Sequence, residues 1–417
     1  MIKIDQKVIF DYAMQTPKSG IQYSIISFAL CLAALSTALA SPLYAIYEQQ
    51  WGISTSQVGY IFIAYMLGVV FSLLFLNKLN AIYHYKHVIL VSLAITILGL
   101  LLSALASSVW WLGFSRFLIG IASGLITTAA MVGLKDQYPF ANKALAEKLT
   151  SMITVLGFGL GPLLGGIFAD HTARPLADPY WIIIFFSTLI LISVFWVKPK
   201  LKLQNKPHWT ALFKIQRLDL PQTPSRKIFW VCSVSALCSF GAFSLYAALA
   251  GTFIHELPIQ SSATLTGVSI SIILFVSVFS QLLCKSFKEL HVLYAGLAAL
   301  LLGTMSLIIA EVEHTVGFLF LSILLTGIGH GFSLSAAYYF IGKMMDHEKN
   351  PLIFSSYLLI AYQGTIWPVI FSSYLIESVG VVMTLLVIAI FLMITILWLM
   401  YQLKFKVEPL LACQKSG

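Results

Sequence analysis

Residues 157–166 read GFGLGPLLGG, which places Gly157, Gly161, Pro162, Gly165 and Gly166 in a GxxxGPxxGG spacing with no charge between Lys148 and Asp170. An uncharged run of that length can cross a bilayer as a helix, which takes about 20 residues. Pro162 removes one backbone donor and presses on the carbonyl four residues earlier, so the helix is expected to bend there. The glycines on either side leave room for another helix at the bend. A bare GxxxG carries little beyond helix packing, but the ten-residue pattern is much rarer.

The rest of the chain has the same character. Of 417 residues, 59% are hydrophobic and 10% charged, and the mean hydropathy is +0.91. That composition excludes a soluble domain of this length and implies a polytopic all-α membrane protein. Uncharged runs give twelve expected spans, near 22–45, 58–76, 88–107, 110–133, 149–169, 180–197, 228–251, 264–284, 291–310, 316–342, 351–376 and 380–403. Lys and Arg collect in cytoplasmic loops. Here 23 of the 25 basic residues fall in the two tails and in alternate loops, leaving Arg174 in an opposite loop and Arg116 within a span. Both termini are therefore expected to be cytoplasmic. The net charge of +9 follows from loops facing an anionic leaflet and needs no nucleic-acid partner. No removable signal peptide is expected, because Asp5, Asp11 and Pro17 interrupt the first 20 residues. The cysteines Cys31, Cys232, Cys238, Cys284 and Cys413 show no CxxC spacing and read as small apolar fillers, with no disulfide framework or metal site.

The basic, proline-bearing stretch 198–227 divides the chain. The expected organisation is a tail at 1–21, a six-helix bundle at 22–197, the linker at 198–227, a second bundle at 228–403 and a tail at 404–417. The halves echo each other at an offset near 207: Gly120-Ile121-Ala122-Ser123-Gly124 answers Gly327-Ile328-Gly329-His330-Gly331, and Pro162 answers Pro368. Parallel repeats of this kind point to a transporter that rocks one half against the other around a midplane site.

At this point the chain resembles the major facilitator superfamily over nearly its whole length. The span-five pattern is similar to the antiporter motif of its twelve-span drug/proton exporters, and Arg116 with Gly120 and Gly124 is similar to their RxxxGxxxG pattern. The loop after span two, Asn77 to Lys86, departs from the family's acidic pattern, with Ala81 where the acid belongs. The resemblance implies alternating access, with protons and a small molecule as the partners and the bacterial cytoplasmic membrane as the location. A monomer without cofactor or metal is expected.

Arg116 is costly to bury, about 2.5 to 3.5 kcal/mol on an insertion scale. It either snorkels toward the interface marked by Trp110 and Trp111 or lines a central cavity with Ser123 and Thr127, which share its face. His330 answers Ser123 in the repeat and so is either a packing residue or a cavity residue. Tyr338 continues its face; Phe243 pairs with Tyr246 and Gln363 with Trp367 at helical spacing, together suggesting an aromatic, weakly polar pocket. Glu48, Asp170, Asp178, Glu256, Glu311, Glu313 and Glu377 fall in outer loops or at span ends, and no carboxylate is mid-span. Proton coupling would then fall to His330 or to an acid near a cavity mouth, Glu256 or Asp136.

The leading expectation is an exporter of neutral or anionic amphipathic compounds, with an importer of a small anionic nutrient as the rival. An integral-membrane enzyme lacks support, since no GxSxG, HExxH or P-loop signature is present. The orientation is checked with single cysteines at Ser54, Ala177 and Ser262, which should react with an impermeant thiol reagent from outside, whereas one at Asn205 should not. Labelling of Asn205 in sealed cells would reverse the topology.

Overall fold

The computed structural model describes residues 6–76, 79–139, 143–200, 219–223, 225–255, 257–258, 260–284, 287–348 and 352–410. Most of the linker, Asn77 and Lys78 of the loop after span two, and Glu256 lie outside them. The chain is all-helical among the described residues. In order it forms α1 (Gln6–Ala38), α2 (Tyr44–Trp51), α3 (Thr55–Phe71), α4 (Leu79–Ile82), α5 (Tyr85–Ala104), α6 (Val109–Gln137), α7 (Lys143–His171), α8 (Asp178–Val194), α9 (Ser225–His255), α10 (Ala263–Leu283), α11 (Glu289–Val312), α12 (Val316–Glu348) and α13 (Leu352–Gln402). Among the described residues, ten helical stretches are long and apolar enough to cross a membrane, which makes this a multi-pass membrane protein. Two departures from the twelve expected runs have local causes. Helix α8 has 17 residues, just short of a full crossing. Expected spans eleven and twelve meet within α13 at a kink at Gly380, where the backbone is non-helical and its φ of 80° is open to glycine without strain.

Serines start three helices at the end that the charge pattern assigns to the outside. Ser54 forms a capping box with Gln57 ahead of α3, and Ser108 and Ser262 accept from the backbone N–H groups of Trp111 and Leu265 ahead of α6 and α10. Such caps satisfy donors that a helix start leaves open.

Glycines decide how closely the helices approach. Within the first half, a Cβ at Gly120 would collide with the Tyr65 carbonyl of α3, and one at Gly124 would lie 2.7 Å from Ser72. In the second half Gly331 meets the Ser277 carbonyl of α10, and Gly327 lies against Ile273 and Val276 of the same helix. The echo seen in the sequence is thus repeated in the packing.

Helix α7 continues through Pro162 and uses two glycine faces. Gly157 and Gly161 lie against the carbonyls of Cys31 and Leu35 in α1, and Gly165 against that of Leu39 just beyond its end, all inside the same half. The contact between halves is made by other positions: Gly166 meets the Ala263 carbonyl, the Pro162 carbonyl meets Gly267, and Ser271 Oγ donates to the Gly159 carbonyl at 2.6 Å. A second seam joins α3 to α13, where Gly59 lies against Ser373 and Tyr60 packs edge-on to Tyr374. The glycines expected to serve one approach therefore serve two, and only Gly166 of the motif's four glycines meets the other half.

This division yields a test. Gly166→Leu and Gly267→Leu should each abolish transport with insertion and monodispersity retained, because overpacking the seam costs the closed arrangement about 1 to 3 kcal/mol. Gly113→Ala, whose Cβ would meet only Ala64 at 4.0 Å, should leave transport unchanged. Transport assays at matched expression decide it, and normal transport by both leucine variants would refute the seam.

Candidate functional site

The most concentrated chemistry lies between α9, α10, α12 and α13. Gly327 and Gly331 let α12 approach α10 closely, so His330 reaches Ser277 and shares a hydrogen bond at 2.8 Å between Nδ1 and Oγ. Gln281 Nε2 donates to the same Ser277 hydroxyl at 3.3 Å. The imidazole lies between two rings of α9: Phe240 is nearly parallel at 5.8 Å between centroids, and Phe243 is tilted at 5.6 Å. Phe240 in turn sits 5.6 Å from the Tyr362 ring of α13. Neither Phe240 nor Tyr362 was singled out by the sequence, although Phe240 precedes Phe243 by three residues and so shares its helix face.

The first half faces this cluster with a charge held inside its own core. Arg116 is 1% exposed. Its Nη2 donates to the Thr37 carbonyl of α1 at 2.6 Å, and its guanidinium lies 5.1 Å from the centre of the Tyr65 ring. Nε and Nη1 make no close hydrogen bond, the Tyr44 hydroxyl standing beside the guanidinium, and among the described residues no carboxylate pairs with it. A carbonyl and an aromatic face offset part of the desolvation, and Tyr44, Tyr47 and Tyr180 stand within electrostatic range. The Tyr65 hydroxyl is in hydrogen-bonding reach of Ser123 and Thr37, and Tyr65 and Tyr362 are close enough to interact electrostatically across the two halves. Arg116 thus neither snorkels nor stands open in a cavity; Tyr65 is the group between it and the other half.

The remaining expected site residues are dispersed. Ser123 is buried beside Tyr65, and Thr127 is half-buried with its hydroxyl donated back to the Ser123 carbonyl. Tyr246 turns into the second bundle, where its hydroxyl and that of Ser322 share a 2.5 Å hydrogen bond. Tyr338 packs with Phe354 and Tyr357. Trp367 is 51% exposed, stacks on Phe371 and donates from Nε1 to Gln363. Five residues from Tyr362, it points about 140° away around the helix, so Gln363 and Trp367 do not join the His330 cluster. Asp136 sits elsewhere in the first half, accepting from Tyr85, Gln137 and the Lys200 backbone N–H. Glu256 lies outside the described residues.

One acid differs from the expectation drawn from its position. Glu311 is at the end of α11, as its place in the sequence implies, yet only 2% of it is exposed, and it interacts electrostatically with Tyr246. Sequence position gave its height along the helix but not its direction. Among the described residues, no group of three or more His, Cys, Asp or Glu side chains could hold a metal ion.

Two packed halves of membrane helices, a proline inside α7 and a polar cluster between α9, α10, α12 and α13 set the architecture that the comparisons with known proteins address. The chain belongs to the Major Facilitator Superfamily, whose sequence profile matches residues 26–363, and it is accordingly a transporter and not an enzyme. It is 26% identical over 206 residues to the MFS-type transporter ltbE of Aspergillus luteorubrus, a match covering 49% of this chain and 37% of that protein. The chain thus spans well under half the length of that fungal relative. It is 24% identical over 305 residues to the quinolone resistance protein NorA of Staphylococcus aureus (strain MRSA252), covering 71% of this chain and 75% of NorA. Its fold superposes on the crystal structure of the nucleoside transporter NupG with a TM-score of 0.68 at 15% identity, covering 93% of this chain and 100% of that one.

The two roles of Tyr65 can be separated by mutation. Tyr65→Phe removes the hydroxyl and should lower stability by about 1 kcal/mol, whereas Tyr65→Leu also removes the ring under Arg116 and should cost about 0.5 to 2 kcal/mol more. Thermal unfolding of the purified protein should rank the three forms in that order. Equal stability of the phenylalanine and leucine variants would show that the ring does not support the guanidinium.

Proposed function

We propose that the chain is a twelve-span secondary transporter with both termini in the cytoplasm of a bacterial cell, carrying small neutral or anionic amphipathic molecules by alternating access. In this reading α8 and both parts of α13 cross the bilayer. The observation that carries the substrate class is the buried Arg116 guanidinium, which no carboxylate pairs with among the described residues and which lies against Tyr65, together with an aromatic cluster of Phe240, Phe243, His330 and Tyr362. A cation leaving water would find no counter-charge there, whereas an anion would be favoured by the positive field of Arg116 behind Tyr65. The aromatic rings favour a flat apolar portion in the ligand.

Of the two directions, uptake by proton symport or uniport has the better support. The central groups suit an anionic or neutral nutrient without further additions, and the likeness to a nucleoside transporter extends over nearly the whole fold. Proton-driven export keeps the support of the GxxxGPxxGG run and of the likeness to NorA. His330 is the candidate for a coupled proton, since its imidazole already shares a hydrogen bond with Ser277 and lies in the central cluster.

Uptake into right-side-out vesicles and into everted vesicles, with a panel of anionic, neutral and cationic compounds, tests direction and charge together. Accumulation of anions or neutral compounds in right-side-out vesicles is expected, and Arg116→Ala should weaken anion transport more than neutral transport. Arg116→Lys should restore it only in part, because a point charge does not reproduce the planar fork. Saturable transport of a permanently charged quaternary ammonium dye, with anions ignored, would overturn the substrate class. If His330 couples the proton, His330→Ala should lose pH-driven accumulation yet retain downhill exchange, and unchanged accumulation would move that role elsewhere.

A further inference from the structure

The seam between the halves ends, at the outer side, in two carboxylates used in the same way. Asp170, in the last turn of α7, accepts from the backbone N–H groups of Ala263 at 3.2 Å and Thr264 at 2.7 Å, the first residues of α10 in the other half. Glu377, on α13, accepts from the backbone N–H of Ser56 at 2.7 Å, in the first turn of α3 in the other half. The two acids are 207 residues apart, and so are Ser56 and Ala263. Each half therefore contributes one acceptor and one helix start, and the contacts are exchanged across the seam.

The chemistry favours these contacts for two reasons. A helix start exposes backbone N–H groups that no internal carbonyl satisfies, and the helix dipole places partial positive charge there. A carboxylate supplied from the opposite half satisfies both only while the halves are together. Both acids are exposed to solvent, and Asp170 also borders a cavity of about 440 Å³ shared by Glu48, His255 and Ser262. Water is thus at hand to solvate the carboxylates and the freed N–H groups once the halves part, so breaking the contacts leaves nothing buried and unpaired. That combination suits a contact made and broken in every cycle.

We infer that Asp170 and Glu377 are a symmetric pair of outer latches that hold the outer end of the transporter closed by capping α10 and α3 of the opposite half. The motif-bearing α7 then contributes to closure twice, through the backbone contact at Pro162 and Gly166 and through the charge on its last turn. This goes beyond the substrate and direction proposed above and does not rest on either.

The test reads conformation without a substrate. Spin labels at Ser107, between α5 and α6, and at Glu313, between α11 and α12, report the separation of the outer loops in the full chain, with native cysteines replaced by alanine, in lipid. Asp170→Asn and Glu377→Gln should each raise the fraction with a wide separation about two- to fivefold. The double variant should exceed either, and Asp170→Glu, which keeps the charge, should stay nearer to the unsubstituted chain. Raising the salt from low to about 1 M should widen the unsubstituted chain's distribution in the same direction, because these solvent-exposed charges are screened. A double variant with an unchanged distribution overturns the latches, and so does equal widening by Asp170→Asn and Asp170→Glu. An unsubstituted chain indifferent to salt would also overturn their electrostatic basis.

Discussion

The approach of two backbones at Pro162 and Gly267 is the constraint on which the arrangement depends. A carbonyl oxygen lies where any side chain at residue 267 would have to be, and the same is true of the Ala263 carbonyl at Gly166. Contacts of this kind exist only if both helices offer bare backbone at matching heights. Membrane interiors supply no hydrophobic drive for helix association, so close packing and hydrogen bonds must do the work. Ser271 adds one such bond, and its hydroxyl spans the seam at the Gly159 carbonyl. The α3–α13 seam repeats the device with its own glycine, Gly59, against Ser373.

Within each half the same device serves a different end. Gly120 and Gly124 lock α6 to α3, and Gly327 and Gly331 lock α12 to α10. Into these paired frameworks the chain has placed unlike chemistry: a fixed positive charge at Arg116, and a titratable imidazole at His330. The first is screened from the centre by Tyr65, and the second sits at the centre between Phe240 and Phe243. The repeat thus supplies symmetric packing, and a few side chains at its centre break the symmetry in chemistry.

The sequence made the mechanics legible and the centre much less so. Apolar runs, the Gly157–Gly166 motif and the offset near 207 depend on hydropathy and on glycine, and both survive as plain one-dimensional patterns. They lead directly to the helices and to the packed repeat. Side-chain direction is another matter, because helices apolar on nearly every face have no strong polar side to orient them. Trp367 was expected in the cavity and Tyr362 was not, yet it is Tyr362 that packs beside Phe240 while Trp367 is half-exposed against Phe371, and Tyr246 turned inward to Ser322 where Phe243 turned to His330. Glu311 shows the same limit for charge, since its height at a span end was legible but its burial depended on which side of α11 meets α9. The interruption at Gly380 was legible only as a gap between runs, because a left-handed glycine leaves no mark on hydropathy.

The contrast between contacts within and across halves bears on how such a molecule moves. Inside the halves, glycine contacts are flanked by buried apolar side chains, as at Gly157 beside Ala34 and Gly133 beside Ile26. Opening them would expose apolar surface or leave voids, each at a cost in packing. Across the halves the seam carries two kinds of surface: a buried apolar core shared by residues of both, such as Leu39, Val58, Leu249 and Val369, and a rim of hydroxyls and exposed carboxylates that water can satisfy on release. The rim contacts are therefore the less costly to break, whereas parting the core exposes apolar surface. A seam that was apolar out to its edge would offer water no place at which to begin.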